Sequence, residues 1–211
     1  MSSALQTTDT QVFLSDIDWD TYEKLRASER NRNIRMTYDD GELELMSPSK
    51  LHERIAELLG VLICVWTEEL DIAMQGCGSM TFKRKDLKKG FEPDKCYYIQ
   101  HEAVARDREE LDLLIDPPPD LAVEVDVSAS SAGRMPLYAV IRVPEVWRRK
   151  DEAIQVYKLT PKGRYVARDS SICLPGFPLA EAAQLLRQRK SMDQTTLART
   201  FRQWVREQRD R

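Results

Sequence analysis

The amino-acid sequence reads Asp-Leu-Ala-Val-Glu-Val-Asp-Val over residues 120–127. The central part of this stretch is almost continuously apolar, which is typical of a strand buried on both faces. Glu124 lies in the middle, with a valine on each side. Because burying a carboxylate is costly unless it is paired or holds a cation, an acid at this place indicates either an ion pair or a functional site.

The segments around this strand predict an α/β domain. Apolar residues recur at helical spacing over residues 51–70, which predicts a long buried helix. Short strands are predicted at residues 72–75, 79–83 and 95–100, before the central strand. A short helix over 135–141 and a strand over 143–149 follow it, and further strands are predicted at 154–159 and 165–168. Among these elements, the expected core has the order helix, three strands, helix, strand.

The flanks of this core are less regular. Residues 1–33 are predicted to form an N-terminal extension with one short helix, and residues 34–177 the α/β domain. The domain begins with a β-hairpin over residues 34–46, since Asp39-Asp40-Gly41 is a strong turn signal between two alternating runs. Residues 178–211 are predicted to form a C-terminal extension of two helices.

Composition limits the function classes. The chain has 211 residues and a formal net charge of −3, which argues against a strongly basic nucleic-acid binder but leaves room for a local basic face. Its apolar stretches are far shorter than the roughly 20 residues that span a bilayer, so we expect no membrane association. The polar N-terminus lacks a secretory signal, and the four scattered cysteines are typical of free thiols in a reducing compartment. We therefore expect a cytoplasmic protein.

Three carboxylates are candidates for a metal site. Asp94 follows Pro93 at the start of one predicted strand, while Glu124 and Asp126 are two residues apart and so point to one face of the sheet. If Asp94 points to that face too, the three converge. Converging carboxylate oxygens suit Mg²⁺ or Mn²⁺.

The same carboxylates have an alternative interpretation as ion pairs. Arg134, Arg148 or Lys83 could face Glu124 or Asp126, because buried acids often pair with arginine. The basic run that includes Lys83 and Lys85 directly precedes Asp94 and could guide a nucleic-acid backbone toward it. A solvated turn explains such a run equally well.

Several separated motifs, in order along residues 34–160, resemble the Uma-type family of restriction endonucleases within the PD-(D/E)xK nuclease superfamily. The motifs are GELELMSPS at 41–49, His52-Glu53, GFEPD at 90–94, PDLAVEV at 119–125, LYA at 137–139 and VPEVW at 143–147. The resemblance implies a restriction-endonuclease-like core. It also implies that Asp94 and Glu124 are ligands of Mg²⁺ or Mn²⁺.

The sequence departs from that family at the lysine of the (D/E)xK element, where it has Asp126. Many relatives carry a lysine further on, where this chain has Arg134. Arginine stays charged and cannot act as a base, although it can bind phosphate or stabilise developing negative charge. The resemblance further suggests that an acid near the start of the long helix, Glu53 or Glu57, completes the metal shell, and His52 could contact phosphate or pair with an acid. Helix capping and a structural hydrogen bond are the alternatives for these residues.

The favoured hypothesis is a Mg²⁺-dependent endonuclease that hydrolyses DNA phosphodiester bonds as a homodimer, since cutting two strands requires two sites. A second hypothesis is a catalytically inactive nucleic-acid-binding or scaffold module that kept the fold and lost the lysine. A third is a metal-dependent hydrolase of a small phosphorylated molecule.

Overall fold

The computed structural model describes residues 8–128 and 130–210. In chain order the strands are β1 (Thr10–Leu14), β2 (Arg35–Asp39), β3 (Glu42–Ser47), β4 (Gln75–Gly78), β5 (Phe82–Arg84), β6 (Lys89–Phe91), β7 (Lys95–Tyr98), β8 (Leu121–Val125), β9 (Glu145–Lys150), β10 (Ala153–Leu159) and β11 (Tyr165–Arg168). The α-helices are α1 (Trp19–Ala27), α2 (Lys50–Glu69), α3 (Glu102–Asp107), α4 (Met135–Val140), α5 (Leu179–Arg187) and α6 (Gln194–Arg209).

The larger sheet has the strand order β11-β10-β9-β8-β7-β4 and contains the expected core. Strand β8 lies between β7, which is antiparallel to it, and β9, which is parallel to it. Helix α2 precedes β4, and α4 connects β8 to β9. The predicted order of helix, three strands, helix and strand is therefore confirmed, with β4, β7 and β8 as the three strands.

Both faces of the larger sheet are covered. All five residues of β8 are buried, as its apolar sequence predicts. Leu121, Val123 and Val125 pack in one core cluster with α2, α5 and α6, whereas Ala122 belongs to a second cluster with Tyr138 of α4. By the alternation of side chains along a strand, Glu124 points to the α4 side.

The smaller sheet has the order β1-β3-β2-β6-β5. The predicted hairpin is confirmed as β2 and β3, which pair with Asp39 opposite Glu42. Strand β1 lies in the segment that was assigned to the N-terminal extension, and it pairs with β3 along its whole length. The division of the chain into an extension, a domain and a helical tail stays a prediction.

Two strand predictions need correction. The predicted strand at 72–75 barely overlaps β4, which instead covers Gly76, Cys77 and Gly78 and carries a bulge where it pairs with β7. The predicted strand at 79–83 is displaced to β5, which belongs to the smaller sheet. Gly76 and Gly78 lie at this bulge, where glycines allow the close approach of strands. Among the helices of the described residues, none is long and apolar enough to cross a membrane.

Candidate active site

Glu124 lies on β8, and Asp94 lies directly before the neighbouring strand β7. Lys95 pairs with Val123 in the antiparallel ladder of β7 and β8, so one step further along the register Asp94 lies opposite Glu124. Residues directly opposite each other in such a ladder point to the same face. Asp94 is buried, and its Oδ2 accepts a hydrogen bond of 2.6 Å from the backbone N–H of Val125. Two acids from distant parts of the sequence are thereby brought together.

The second oxygen of Asp94 has two nitrogen neighbours. The Arg35 guanidinium forms an ion pair with Asp94 Oδ1, and the Nε2 atom of His52 lies 2.9 Å from the same oxygen. Another nitrogen of Arg35 donates to Glu53 at 2.7 Å. Arg35 of β2 therefore bridges Asp94 and Glu53, the strand acid and the helix acid that were both candidates for one metal shell.

His52 is positioned by the start of α2. The hydroxyl of Ser49 caps this helix by accepting the backbone N–H of His52 at 3.2 Å. The imidazole is completely buried, and its Nδ1 lies 3.4 Å from Asp9 Oδ2 while its Nε2 faces Asp94. A ring held between two carboxylates has a positioning role, which agrees with the structural alternative for His52. The phosphate-contact role of this residue stays a prediction.

Asp9 is the second carboxylate beside His52, opposite Asp94, and it was not identified from the sequence. Its Oδ1 accepts the backbone N–H of Ser49 at 2.8 Å, in addition to the contact with His52. Burial raises the pKa of Asp9, but hydrogen bonds from His52 and Ser49 outweigh burial and hold that pKa well below its usual range. No local pattern marks this aspartate, because its partners come from a helix 40 residues further along the chain.

Glu124 is held by a buried network of its own, formed with Arg134 and Tyr138. Arg134 donates to both carboxylate oxygens, with the Nε contact at 3.1 Å, and the hydroxyl of Tyr138 donates to Oε1. Burial lowers the pKa of Arg134, but the charge and the hydrogen bonds of Glu124, with smaller contributions from Tyr138 and Glu44, together outweigh burial and raise that pKa overall. The pKa of the Tyr138 hydroxyl is raised, mainly by burial and to a smaller extent by the negative charge of Glu124. The ion-pair interpretation of Glu124 with Arg134 is confirmed.

Asp126 also has an arginine partner. Its Oδ1 accepts the backbone N–H of Ser131 at 2.9 Å, and its Oδ2 accepts a hydrogen bond from Arg148. The Nε of Arg148 in turn donates to the Ser131 hydroxyl at 2.8 Å. The ion-pair interpretation is therefore confirmed for Asp126 with Arg148 as well. This network stabilises the turn that follows β8.

The carboxylates suit Mg²⁺ or Mn²⁺ in ligand type, since both ions prefer oxygen. Asp94 Oδ1 is fully buried and makes no hydrogen bond of good geometry, so it retains the capacity to bind a cation. Guanidinium groups nevertheless neutralise Asp94 and Glu124, and among the described residues no three acids, histidines or cysteines are grouped so as to hold a metal ion. A metal bound here has to displace Arg35 and Arg134. The assignment of Asp94 and Glu124 as metal ligands stays a prediction.

The predicted nucleic-acid contacts Lys83 and Lys85 lie in and just after β5, at an edge of the smaller sheet. The ammonium of Lys83 is 3.6 Å from Glu23, and that of Lys85 is 3.9 Å from Asp20. Nearby acids on α1 therefore offset part of their positive charge. The role of these lysines also stays a prediction.

The topology of the larger sheet, with one acid directly before β7 and a second opposite it on β8, defines a protein of restriction-endonuclease-like fold. Residues 19–178 match the sequence profile of the Uma2 family, described as "Putative restriction endonuclease", and the chain belongs to that family. The resemblance drawn from the separated motifs is thereby confirmed.

A solved structure is similar in fold. It is described as a putative nuclease belonging to DUF820 from Anabaena variabilis, and it superposes with a TM-score of 0.52 at 17% sequence identity. The match covers 78% of this chain and 92% of that one. A search of curated proteins finds no match.

Proposed function

We propose that the protein is a metal-dependent endonuclease that hydrolyses phosphodiester bonds of DNA. The observation that carries this proposal is the placement of Asp94 opposite Glu124 in a restriction-endonuclease-like core. Membership of the Uma2 family supports the same reaction class. Mg²⁺ or Mn²⁺, bound by these two carboxylates, would polarise a phosphoryl oxygen and lower the pKa of a bound water.

The chain's own residues have distinct roles in this proposal. Arg134, once it leaves Glu124, donates to a phosphate oxygen and stabilises the negative charge that develops there. His52 fixes the orientation of Asp94 through its contact with Oδ1. Tyr138 does the same for Glu124 through its hydroxyl. Asp126 orients the attacking water only if it gives up Arg148, since both of its oxygens are engaged.

The second candidate is the catalytically inactive nucleic-acid-binding module. Two specific observations favour it. Each of the three candidate acids carries a guanidinium, from Arg35, Arg134 and Arg148. The position of the family's lysine holds Asp126, which has no positive charge to offer a phosphate.

A plasmid-nicking assay distinguishes the two candidates. The endonuclease proposal expects nicking or linearisation of supercoiled DNA with Mg²⁺ or Mn²⁺, abolished by EDTA and by D94N or E124Q. The substitution E109Q changes an exposed acid and serves as the control. Binding of DNA without cleavage in any divalent metal, together with no metal uptake in calorimetry, would instead establish the inactive module.

Two further assays address the remaining predictions. Hydrolysis of nucleotides without binding of long polymers would favour the hydrolase of small phosphorylated molecules. Light scattering tests the homodimer, which the need for two cuts in duplex DNA supports. The cytoplasmic location rests on the sequence composition alone.

A further inference from the structure

An open polar pocket of about 640 Å³ is lined in part by Arg35, the ion-pair partner of Asp94. It lies between the hairpin and the segment before β5. The arginines that line it are Arg26, Arg32 and Arg35, and Ser79 and Thr81 add two hydroxyl groups. Because Arg35 also contacts buried Asp94, the wall of this pocket is in direct contact with the candidate active site.

The pocket carries an excess of positive charge. Its charged lining consists of the three arginines and two glutamates, Glu53 and Glu92, so the difference is one positive charge. Glu92 is buried and accepts hydrogen bonds from Arg26 at 3.2 Å and from the Thr81 hydroxyl at 2.6 Å. Glu53 is the partner of Arg35. Each glutamate is thus already engaged by an arginine of the pocket.

Arg32 is the source of the unbalanced charge. It directly follows the 3₁₀ turn Glu29–Asn31, its side chain is exposed, and it makes no ion pair with any residue of the described ranges. An arginine guanidinium without a carboxylate partner is well suited to a phosphate group, which it can bind through two parallel hydrogen bonds.

We propose that the pocket formed by Arg26, Arg32 and Arg35 binds a backbone phosphate of the nucleic acid, next to the phosphodiester bond that is cut. This inference rests on the proposed function for the class of ligand. Arg32 supplies the free charge, while Arg26 and Arg35 are held in place by their glutamates. The bound nucleic-acid strand therefore passes over the side of the site that carries the β2–β3 hairpin. Among the cations that line the pocket, Arg32 has no carboxylate partner in the described residues, whereas Lys83 and Lys85 have acids of α1 beside them.

The test is the binding of a fluorescein-labelled DNA duplex, measured by fluorescence anisotropy in EDTA over a series of salt concentrations. The variants are R32Q and the matched control R30Q, which removes an equally exposed arginine two residues away that does not line the pocket. A third variant, K83Q, tests the lysine surface. Thermal unfolding of each variant confirms that the fold is intact.

R32Q is expected to lower the slope of log Kobs against log salt concentration by about one, which corresponds to roughly tenfold weaker binding at about 0.1 M salt. R30Q is expected to leave both quantities close to those of the unchanged protein, and K83Q is expected to lower them less than R32Q does, because Glu23 offsets part of the charge of Lys83. If R32Q and R30Q bind DNA equally well, or if only K83Q loses affinity, the proposed phosphate site is wrong, and the endonuclease proposal is unaffected. Absence of DNA binding by the unchanged protein also overturns the pocket, and the nicking assay then decides separately on the endonuclease.

Discussion

Replacing Glu124 with alanine is expected to lower the free energy of unfolding by about 3–5 kcal/mol, because it leaves a buried guanidinium without its partner. Glu124 is fully buried, and Arg134 is only 7% exposed. The substitution removes two hydrogen bonds from Arg134 and one from Tyr138.

Two further variants separate the lost charge pair from the lost packing. E124Q keeps the volume and one acceptor oxygen, so its cost should be smaller than that of E124A. The double variant E124L/R134M removes both charges and fills the space with apolar atoms. It should recover most of the loss, since replacing a whole buried ion pair by apolar residues is often neutral or stabilising.

Urea unfolding followed by tryptophan fluorescence measures these differences, with completely buried Trp147 of neighbouring β9 as a reporter. E109A changes an exposed acid and should alter stability by less than about 0.5 kcal/mol. If E124A costs less than about 1 kcal/mol, or if E124L/R134M is less stable than E124A, Glu124 and Arg134 do not form the buried pair described above.

The remaining predictions concern Asp9, which contacts His52, and the close contact between Gly90 of β6 and Tyr22 of α1. D9N should destabilise the protein by about 1–3 kcal/mol near neutral pH, because a charge-assisted partner of His52 is lost. The folded-state pKa of Asp9 lies below its ordinary value of 3.8, so its contribution is present above that pH and disappears as the pH falls further. The difference between the unchanged protein and D9N in urea midpoints should therefore shrink between about pH 5 and about pH 3, and a constant difference would contradict the assignment. G90A should cost about 1–3 kcal/mol or more, since a Cβ atom there meets the hydroxyl oxygen of buried Tyr22 at 2.2 Å, whereas G133A, with nothing within 4 Å, should be close to neutral in the same assay.

The fold could be predicted from local patterns because the buried strand β8 and the β2–β3 hairpin each have a clear sequence signal. An apolar run with few polar interruptions is read as a buried strand, and Asp40 and Gly41 at the hairpin both have the positive φ angles that such a turn requires. The order of elements then follows from the chain. Strand β1 was missed because three of its five residues, among them Phe13, are exposed apolar side chains at a sheet edge, and only pairing with β3 makes the segment regular.

The candidate site could be predicted only in part. Glu124 stands out because it is a carboxylate in an apolar strand, and Asp94 stands out because it follows Pro93 at the start of a predicted strand. The sequence also named Arg134 as a possible partner, but spacing alone does not tell which cation reaches which acid. Arg35 and Asp9 have no local signal, since their contacts depend on how the hairpin and β1 pack against the larger sheet. Long-range pairing of this kind is not encoded in any short window of sequence.

The central claim is that Asp94 and Glu124 bind one divalent cation between them. Crystals soaked in Mn²⁺ and measured for anomalous scattering test it directly. We expect a peak between the two carboxylates, with the guanidinium groups of Arg35 and Arg134 turned away from them. Both guanidiniums still on their acids, with no anomalous peak at saturating Mn²⁺, would contradict it.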